Sequence, residues 1–416
     1  MNDTAPAPIA VVGIGADGWP GLAAGSQAEL IAAEVVIGGP RQLRLLPAHV
    51  FAERVPWPSP LRPAVPGVLA AHEGRRVAVL ASGDPMFFGI GRTLADIVGP
   101  ARLRIHPHPS SVSYACARLG WPVEDTEVVS LVGRPAVGLA AHLFDGRRLL
   151  VLSPGSHGPA EAAALLRDRG FGPTRMRVLE RLGFGPERTV EGTAAGWGDP
   201  ACDPLHVLAL ECRADPDTPH LGLTPGLPDS AYDNDGQLTK RHVRAVTLAA
   251  LAPAPGELLW DVGSGSGSIA IEWLRAHRSC RAVAVERDPA RAERIARNAA
   301  ALGVPGLRVV LGAAPGALEG LPRPDAVFIG GGLTEPGLPD ACWDALAPGG
   351  RVVANAVTLE SEAILAAWHA RHGGDLVRLS VATAAPVGGF TGWRPARPVT
   401  QWAAAAPPAR PAGRRP

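Results

Sequence analysis

The feature that most constrains the fold is an apolar run that passes directly into a glycine-rich loop. Residues 258–267 have the sequence L-L-W-D-V-G-S-G-S-G, and a helix-forming segment starts near Ser268. Glycine lets the backbone turn sharply and approach a ligand, because no Cβ is in the way. The helix beyond presents free N–H groups and the positive end of its dipole. The pattern predicts a binding loop at the carboxyl edge of an open α/β sheet.

The rest of the C-terminal half alternates between strand and helix patterns. This alternation predicts a parallel, doubly wound sheet with right-handed crossovers. The predicted strands are Leu258–Asp261, Ala282–Glu286, Leu307–Leu311, Ala326–Ile329, Arg351–Asn355, Leu376–Thr383 and Pro398–Trp402. The predicted helices are Val243–Leu251, Ser268–Ala276, Ala290–Ala301, Asp340–Leu346 and Leu359–Arg371.

The N-terminal half also alternates, and its apolar runs often end in Gly, Ser or Pro. The predicted strands are Ile9–Gly13, Glu34–Ile37, Arg76–Ser82, Glu127–Leu131, Leu149–Leu152, Arg177–Glu180 and Leu205–Glu211. The predicted helices include Ser26–Ala33, Tyr114–Leu119 and Pro159–Arg169. We therefore expect two α/β domains, 1–212 and 230–403. A proline-containing linker, 213–229, and a disordered Ala/Pro/Arg-rich tail, 404–416, complete the predicted organisation.

Composition narrows the function classes. A formal net charge of +1 over 416 residues gives no global case for nucleic acid or an anionic membrane as partner. The five cysteines are scattered without a C-x-x-C pair, which predicts reduced thiols in the cytoplasm. We expect no signal peptide and no membrane span. The twelve histidines show no ligand spacing, so we also expect no metal.

Two cofactor classes compete for the glycine-rich loop. A dinucleotide fingerprint, G-x-G-x-x-G, would place its third glycine at position 268, which is serine. Asp261 before the loop instead fits the pattern of S-adenosylmethionine sites. Glu286 ends the second strand, where a carboxylate can accept both ribose hydroxyls. A tight turn that binds nothing would leave Glu286 and the glycines 330–332 unexplained, so S-adenosylmethionine is favoured over a nicotinamide cofactor.

Lys240 is the single lysine among 40 basic residues. A lysine kept in an arginine-rich chain suggests a task that arginine performs poorly, such as proton transfer. The alternative is a solvated lysine at a helix start. We expect Lys240 to be the catalytic residue that donates a proton.

Several strings in the C-terminal half carry a specific resemblance. They include G-L-P-D-S from residue 226, L-T-K-R-x-V-R from 238, W-D-V-G-S-G-S-G-S-I-A-I-E-W from 260, and A-P-G-G-R-V-V-A-N-A from 347. Residues 222–400 thereby resemble the decarboxylating precorrin C-15 methyltransferase family, which has a Rossmann-like class I S-adenosylmethionine methyltransferase fold. The resemblance implies that S-adenosylmethionine contacts Thr239, Gly263, Ser264, Gly265, Ser266, Gly267, Glu286 and Ala314.

A formal G-x-G-x-x-G also stands at 13–18, but Trp19 and Pro20 do not open a helix, which argues against a dinucleotide. The same loop, S-G-D-P at 82–85 and P-S-S-V-S at 109–113 occur in the order of the tetrapyrrole methylase family. Residues 7–212 resemble this two-subdomain fold, and the precorrin C-5 methyltransferases in particular. The resemblance implies cofactor contacts at Gly83, Asp84 and Met86, and substrate-side groups at Asp17, Ser110 and Ser111. Asp84 is equally explained as a turn residue that bonds its own backbone.

The two resemblances in this order imply one chain with two S-adenosylmethionine sites and no metal. It would methylate C-5 and C-15 of precorrin-6B and release the ring C acetate as carbon dioxide, giving precorrin-8X in cobalamin biosynthesis. Relatives of both halves lead us to expect a homo-oligomer. The candidates for binding substrate carboxylates are Arg41, Arg44, Arg181 and Arg241. The alternatives are a nicotinamide-dependent oxidoreductase, a non-catalytic S-adenosylmethionine sensor and an RNA methyltransferase.

Overall fold

A computed structural model describes residues 8–408, which form two compact units. The first unit runs through Ala136 and continues over Asp145–Thr218; the second contains Val137–Phe144 and the chain from Pro219 onward. The predicted linker, 213–229, is thus divided between them. Its residues make ordered contacts: Asp215 N donates to Gly170 O at 2.7 Å in the first unit, and Leu227 is buried in the second.

The first unit opens with a five-stranded parallel sheet in the order β3-β2-β4-β1-β5. All six residues of its strand β1 are buried, as expected where helices cover both faces of a parallel sheet. The strands are β1 Ile9–Ile14, β2 Val35–Gly38, β3 Glu53–Pro56, β4 Val77–Ser82 and β5 Leu103–His106. The helices are α1 Ala24–Ala32, α2 Pro40–Arg44, α3 Leu61–Ala70 and α4 Ile90–Val98.

A second sheet of five strands completes this unit in the order β6-β7-β10-β8-β9. Strands β6 and β7 are parallel and the remaining pairs are antiparallel. The strands are β6 Glu127–Ser130, β7 Arg148–Leu152, β8 Arg175–Glu180, β9 Arg188–Thr193 and β10 His206–Glu211. The helices are α5 Ser111–Leu119 and α6 Gly158–Asp168. Two sheets in one unit agree with the expected two-subdomain fold.

The second unit contains a seven-stranded sheet in the order β13-β12-β11-β14-β15-β19-β16. The strands are β11 Leu258–Val262, β12 Arg281–Glu286, β13 Arg308–Leu311, β14 Ala326–Ile329, β15 Arg351–Ala356, β16 Asp375–Leu379, β17 Ala382–Val387, β18 Phe390–Pro395 and β19 Val399–Ala405. The helices are α7 Arg241–Leu251, α8 Ser268–Ala276, α9 Pro289–Ala301, α10 Leu338–Ala345 and α11 Leu359–His372. The prediction of a parallel sheet is wrong at β19, which runs antiparallel to both β15 and β16.

The predicted single strand 376–383 is also wrong. Strand β16 ends at Leu379, which pairs with Val399, the first residue of β19. Beyond Leu379, β19 therefore has no further residue with which the chain could pair in this sheet. It continues as β17, which pairs only with β18 in a separate two-stranded hairpin. The predicted disordered tail begins inside β19, since that strand reaches Ala405, and residues 409–416 lie outside the described residues.

The described residues also bear on membrane, metal and disulfide chemistry. Between residues 8 and 408, no helix is long and apolar enough to cross a membrane. The same part of the chain holds no cluster of three or more histidine, cysteine or acidic side chains arranged to hold a metal ion. All five cysteines are buried, and none of them forms a disulfide bond.

Candidate functional site

A cavity of about 1130 Å³ opens in the second unit where the parallel strands end. Its volume exceeds the ~300–1,000 Å³ typical of small-molecule sites. The turns that follow β11 to β14 all contribute, as the switch-point rule for open α/β sheets leads us to expect. The predicted cofactor residues that line it are Thr239, Gly263, Ser264, Gly265, Glu286 and Ala314, and the predicted catalytic Lys240 lines it as well.

The glycine-rich loop packs backbone to backbone against the loop that follows β14. Gly263 has a φ of +70°, and a Cβ at this position would lie 2.8 Å from Gly331 N. Gly263 N donates to Val285 O at 3.0 Å, and Gly330 N donates to Val262 O at 2.9 Å. Both conformation and space therefore require glycine at position 263.

Glu286 lies at the end of β12 and is 4% exposed. Its Oε2 accepts from Gly265 N at 2.8 Å, and its Oε1 accepts from Asp288 N at 3.1 Å. A carboxylate offers about four acceptor sites, so both oxygens keep acceptor capacity for hydroxyl groups in the cavity. The two backbone donors fix the carboxylate in place for that task.

Asp261 lies beneath the loop and is 1% exposed. Its Oδ2 accepts from Ser264 Oγ at 2.8 Å and from Ala270 N at 3.0 Å. Its Oδ1 has no hydrogen-bond partner among residues 8–408. Burial raises the pKa of Asp261 to about 6. A positive charge brought into the cavity would favour the ionised form.

Two predicted cofactor residues, Ser266 and Gly267, do not line the cavity. Ser266 is buried, and its carbonyl accepts from Asn298 Nδ2 at 2.9 Å. Gly267 N donates to Ser264 O at 2.9 Å, and a Cβ there would lie 2.8 Å from Ile295 Cγ2. The structure therefore gives these two residues a role in shaping the turn.

A buried ion pair holds the segment that precedes α7. Arg244 has 0% of its surface exposed, and its Nε donates to Glu272 Oε1. The other guanidinium nitrogens donate to backbone oxygens, including the carbonyl of Thr239. Glu272 also accepts from Gly226 N at 2.6 Å and from Tyr232 Oη at 2.8 Å. Thr239, and with it Lys240, is thereby fixed at the cavity.

Neither Arg244 nor Glu272 was predicted from the sequence as a site residue. The sequence feature that could have indicated Glu272 is the string I-A-I-E-W at 269–273, where one acidic residue interrupts an apolar helix. A charge on a buried helix face is rarely tolerated without a partner. The partner itself lies 28 positions away, and no local pattern indicates it.

Lys240 is exposed and forms the N-cap of α7. Within the described part of the chain, no carboxylate lies within 4.0 Å of its ammonium group. The ammonium group is therefore available to a ligand in the cavity. This placement is compatible with the predicted catalytic role and does not test it.

In the first unit, the predicted cofactor residues lie where β4 ends, next to the loop that follows β1. Gly83 has a φ of +60°, and its N donates to Ile14 O at 3.0 Å. A Cβ on Gly13 would lie 2.2 Å from Gly83 O, so the two loops are in backbone contact. Asp84 Oδ1 accepts from Met86 N at 2.8 Å, which gives Asp84 the turn role that we weighed for it. Met86 is exposed.

The predicted substrate-side residues lie beside these loops. Asp17 Oδ1 is 3.6 Å from Nε2 of His108, a buried residue that was not predicted from the sequence. Ser110 Oγ accepts from Ser113 N at 3.1 Å and caps α5, while Ser111 is exposed. A Cβ on Gly83 would lie 3.0 Å from Ser110 Cα. The structure thus brings the loops after β1, β4 and β5 together. No motif in the sequence indicates a role for His108.

The four arginines that we considered for substrate carboxylates lie in different places. Arg41 and Arg44 are on α2, and burial lowers the pKa of Arg41. Arg181 lies 3.6 Å from Asp203. Arg241 lines the cavity of the second unit, but its Nε donates to Gly226 O at 2.8 Å. Arg41, Arg44 and Arg181 belong to the first unit, so Arg241 is the member of this set that lines that cavity.

Comparison with known proteins gives a family match for each half of the chain. A family model described as tetrapyrrole (corrin/porphyrin) methylases matches residues 8–196, and one described as a precorrin methyltransferase domain matches residues 230–406. Shorter relatives match part of the chain. A cobalt-precorrin-7 C(5)-methyltransferase of Salmonella typhimurium is 33% identical over 180 residues, 43% of this chain and 88% of that protein. A probable cobalt-precorrin-6B C(15)-methyltransferase (decarboxylating) of Pyrobaculum aerophilum is 34% identical over 184 residues, 42% of this chain and 93% of that protein.

A third relative matches nearly the whole length of this chain. It is a precorrin-6Y C(5,15)-methyltransferase [decarboxylating] of Sinorhizobium sp, 50% identical over 396 residues, which are 95% of this chain and 95% of that protein. The match therefore extends through both units and the segment that joins them. This chain belongs to the precorrin-6Y C(5,15)-methyltransferase (decarboxylating) family.

Proposed function

We propose that the chain uses two molecules of S-adenosylmethionine to methylate C-5 and C-15 of precorrin-6B and removes its ring C acetate as carbon dioxide, giving precorrin-8X. The observation that carries the proposal is a set of glycine-containing loops at the carboxyl ends of parallel strands in each unit, and the set in the second unit lines a cavity. The second site supports C-15 methylation with decarboxylation, and the first supports C-5 methylation. Titration of the full chain with S-adenosylmethionine tests this arrangement: two equivalents support it, and one equivalent contradicts it.

The residues of the second site fit S-adenosylmethionine. Gly263 leaves the space that a Cβ would fill, and Glu286 keeps acceptor capacity for the ribose hydroxyls. Asp261 supplies a buried negative charge under the loop that would hold the cationic methionine part. The cofactor supplies an electrophilic methyl group. The protein has to align that group with the nucleophilic carbon and exclude water, and rigid backbone loops suit this task.

Decarboxylation adds a requirement for a proton. When the bond between the ring C acetate methylene and its carboxylate breaks, carbon dioxide leaves and the electron pair stays with the macrocycle. The methylene becomes a methyl group once it takes up one proton. Lys240 lines the cavity with a free ammonium group, so it is the proposed donor.

We predict that Lys240→Ala lowers the rate of C-15 methylation and decarboxylation by about 10²–10⁴-fold, the usual contribution of a general acid. The affinity for S-adenosylmethionine should stay within a few-fold of wild type. Single-turnover kinetics and a binding titration separate the two effects. Arg278→Ala is the matched control, since Arg278 is exposed in the same unit and does not line the cavity. Wild-type turnover of the Lys240 variant would exclude the catalytic role.

Cofactor binding at the second site should also depend on pH. Burial raises the pKa of Asp261 to about 6, so the carboxylate is protonated below that pH and ionised above it. The cationic cofactor attracts the ionised form, and its affinity should therefore rise as the pH increases through 6. Calorimetric titrations between pH 5 and 8 measure this profile for wild type and for Asp261→Asn. An Asn variant with the same pH profile as wild type would exclude Asp261 as the cause.

Methylation at C-5 uses the first site. Gly83 and the backbone near Met86 are the proposed cofactor contacts there, while Asp17, Ser110 and Ser111 are the proposed substrate contacts. The Asp17 side chain is 26% exposed and lies beside His108, which limits the positions that its carboxylate can take. We further propose that the enzyme works in the cytoplasm as a homo-oligomer, and buried thiols that form no disulfide fit a reducing compartment.

A further inference from the structure

The cavity of the second unit is rich in basic side chains, and three of its arginines have a partner. Arg291 Nε donates to Asp235 Oδ2 at 2.8 Å, and Arg287 lies 3.5 Å from Glu335. Arg241 is held by a backbone carbonyl, as described above. The full set of basic residues that line the cavity is Lys240, Arg241, His242, Arg287, Arg291, Arg394 and Arg397.

Two arginines of this set are unpaired. Arg394 lies in β18, and Arg397 lies in the connection from β18 to β19. Both are exposed. Across the described ranges of the chain, neither guanidinium has a carboxylate within 4.0 Å or a hydrogen bond to the protein. They are therefore free to bind an anion that enters the cavity.

The hairpin that carries Arg394 supplies part of the cavity lining. Thr383 of β17, which pairs with Arg394, lines the cavity, and so do Pro395 and Ala396. These residues lie outside the turns after β11, β12 and β13, where the cofactor groups are. The loops that carry the predicted cofactor residues therefore form one part of the cavity wall. The segment that carries the unpaired arginines forms another part. Its volume of about 1130 Å³ leaves room for part of a second molecule beside the cofactor.

We infer that Arg394 and Arg397 bind carboxylates of the tetrapyrrole substrate and thereby set its position over the methyl donor. The inference rests on the proposed function of this site. A precorrin carries several acetate and propionate side chains, and a guanidinium binds a carboxylate through two parallel hydrogen bonds. The two arginines are positioning residues that determine specificity. Arg241, one of the four arginines considered from the sequence, lines the same cavity.

The test is the double variant Arg394→Gln/Arg397→Gln in the full chain. Each lost charged contact should raise the KM of the C-15 reaction for the precorrin by roughly tenfold. The S-adenosylmethionine affinity and the C-5 reaction should stay unchanged. Higher ionic strength should raise the wild-type KM more than that of the double variant, because salt screens exposed charges. The arginine-to-lysine double variant should recover part of the affinity, and Arg278→Gln should have no effect.

A second readout separates this inference from the proposed function. Uroporphyrin III, a stable tetrapyrrole with carboxylate side chains, serves as the probe, and its binding is followed by fluorescence. Weaker binding to the double variant supports the carboxylate site even if wild type fails to turn over a precorrin. Equal binding and an unchanged KM, in a variant that unfolds like wild type, would overturn the inference.

Discussion

Gly263→Val is expected to weaken S-adenosylmethionine binding at the second site by about a hundredfold. A side chain at this position would lie 2.8 Å from Gly331 N, and the φ of +70° is one that valine rarely adopts. The loop after β11 or the loop after β14 must therefore move, and both border the cavity. C-15 methylation and decarboxylation should fail, while C-5 methylation should persist. A binding titration and mass analysis of the products measure both effects.

The matched control for this prediction is Gly316→Val. Gly316 does not line the cavity, its φ is not in the left-handed region, and a Cβ there would have no atom within 4 Å. The Gly316→Val variant should bind two equivalents of S-adenosylmethionine. If Gly263→Val also binds two equivalents with wild-type affinity, the glycine-rich loop is not the cofactor site.

Arg244→Met is expected to lower the free energy of unfolding of the second unit by about 3–5 kcal/mol. The change leaves the 4%-exposed Glu272 without its cationic partner, and an uncompensated buried charge is costly. It also frees the carbonyl of Thr239, which Arg244 holds. The affinity of the second unit for S-adenosylmethionine should fall together with its stability. Urea unfolding, followed through the transition of this unit, measures the loss.

An exposed ion pair of the same unit provides the comparison. Arg371 and Asp340 are 3.3 Å apart, with side chains 66% and 59% exposed. Arg371→Met should change the free energy of unfolding by less than about 1 kcal/mol. The double variant Arg244→Met/Glu272→Leu should be less destabilised than the sum of its two single variants, because it leaves neither charge of this pair buried without the other. An Arg244→Met variant as stable as Arg371→Met would contradict the account.

The fold was predictable where burial leaves an uninterrupted apolar run. The bounds predicted for β14, Ala326–Ile329, agree with the structure, and β11 differs by one residue. Three strands of the first unit were missed: β3, β5 and β9. All three lie at the edges of their sheets. An edge strand has only one neighbour and keeps more polar residues, as R-T-V-E-G-T in β9 illustrates, so it lacks the apolar signal.

The candidate sites were predictable where the residues that form them are close together in the sequence. The strand, glycine-rich loop and acid that place Gly263 and Glu286 in one cavity are visible in a short stretch of sequence. The groups that hold this site depend on contacts between distant positions. Arg244 meets Glu272 and His108 meets Asp17 only in the folded chain, and Arg394 is distinguished by the partner it lacks. Such pairings follow from packing, which no local periodicity encodes.

The proposed function requires that one chain carries two methylation sites and a decarboxylation. The direct test is a turnover assay with purified protein, S-adenosylmethionine and metal-free precorrin-6B, followed by mass spectrometry of the product. The account predicts a gain of two methyl groups with the loss of one carbon dioxide. No mass change with this substrate, in a protein that still binds S-adenosylmethionine, would contradict the claim that metal-free precorrin-6B is the substrate. The same result with the cobalt-containing substrate would contradict the account as a whole.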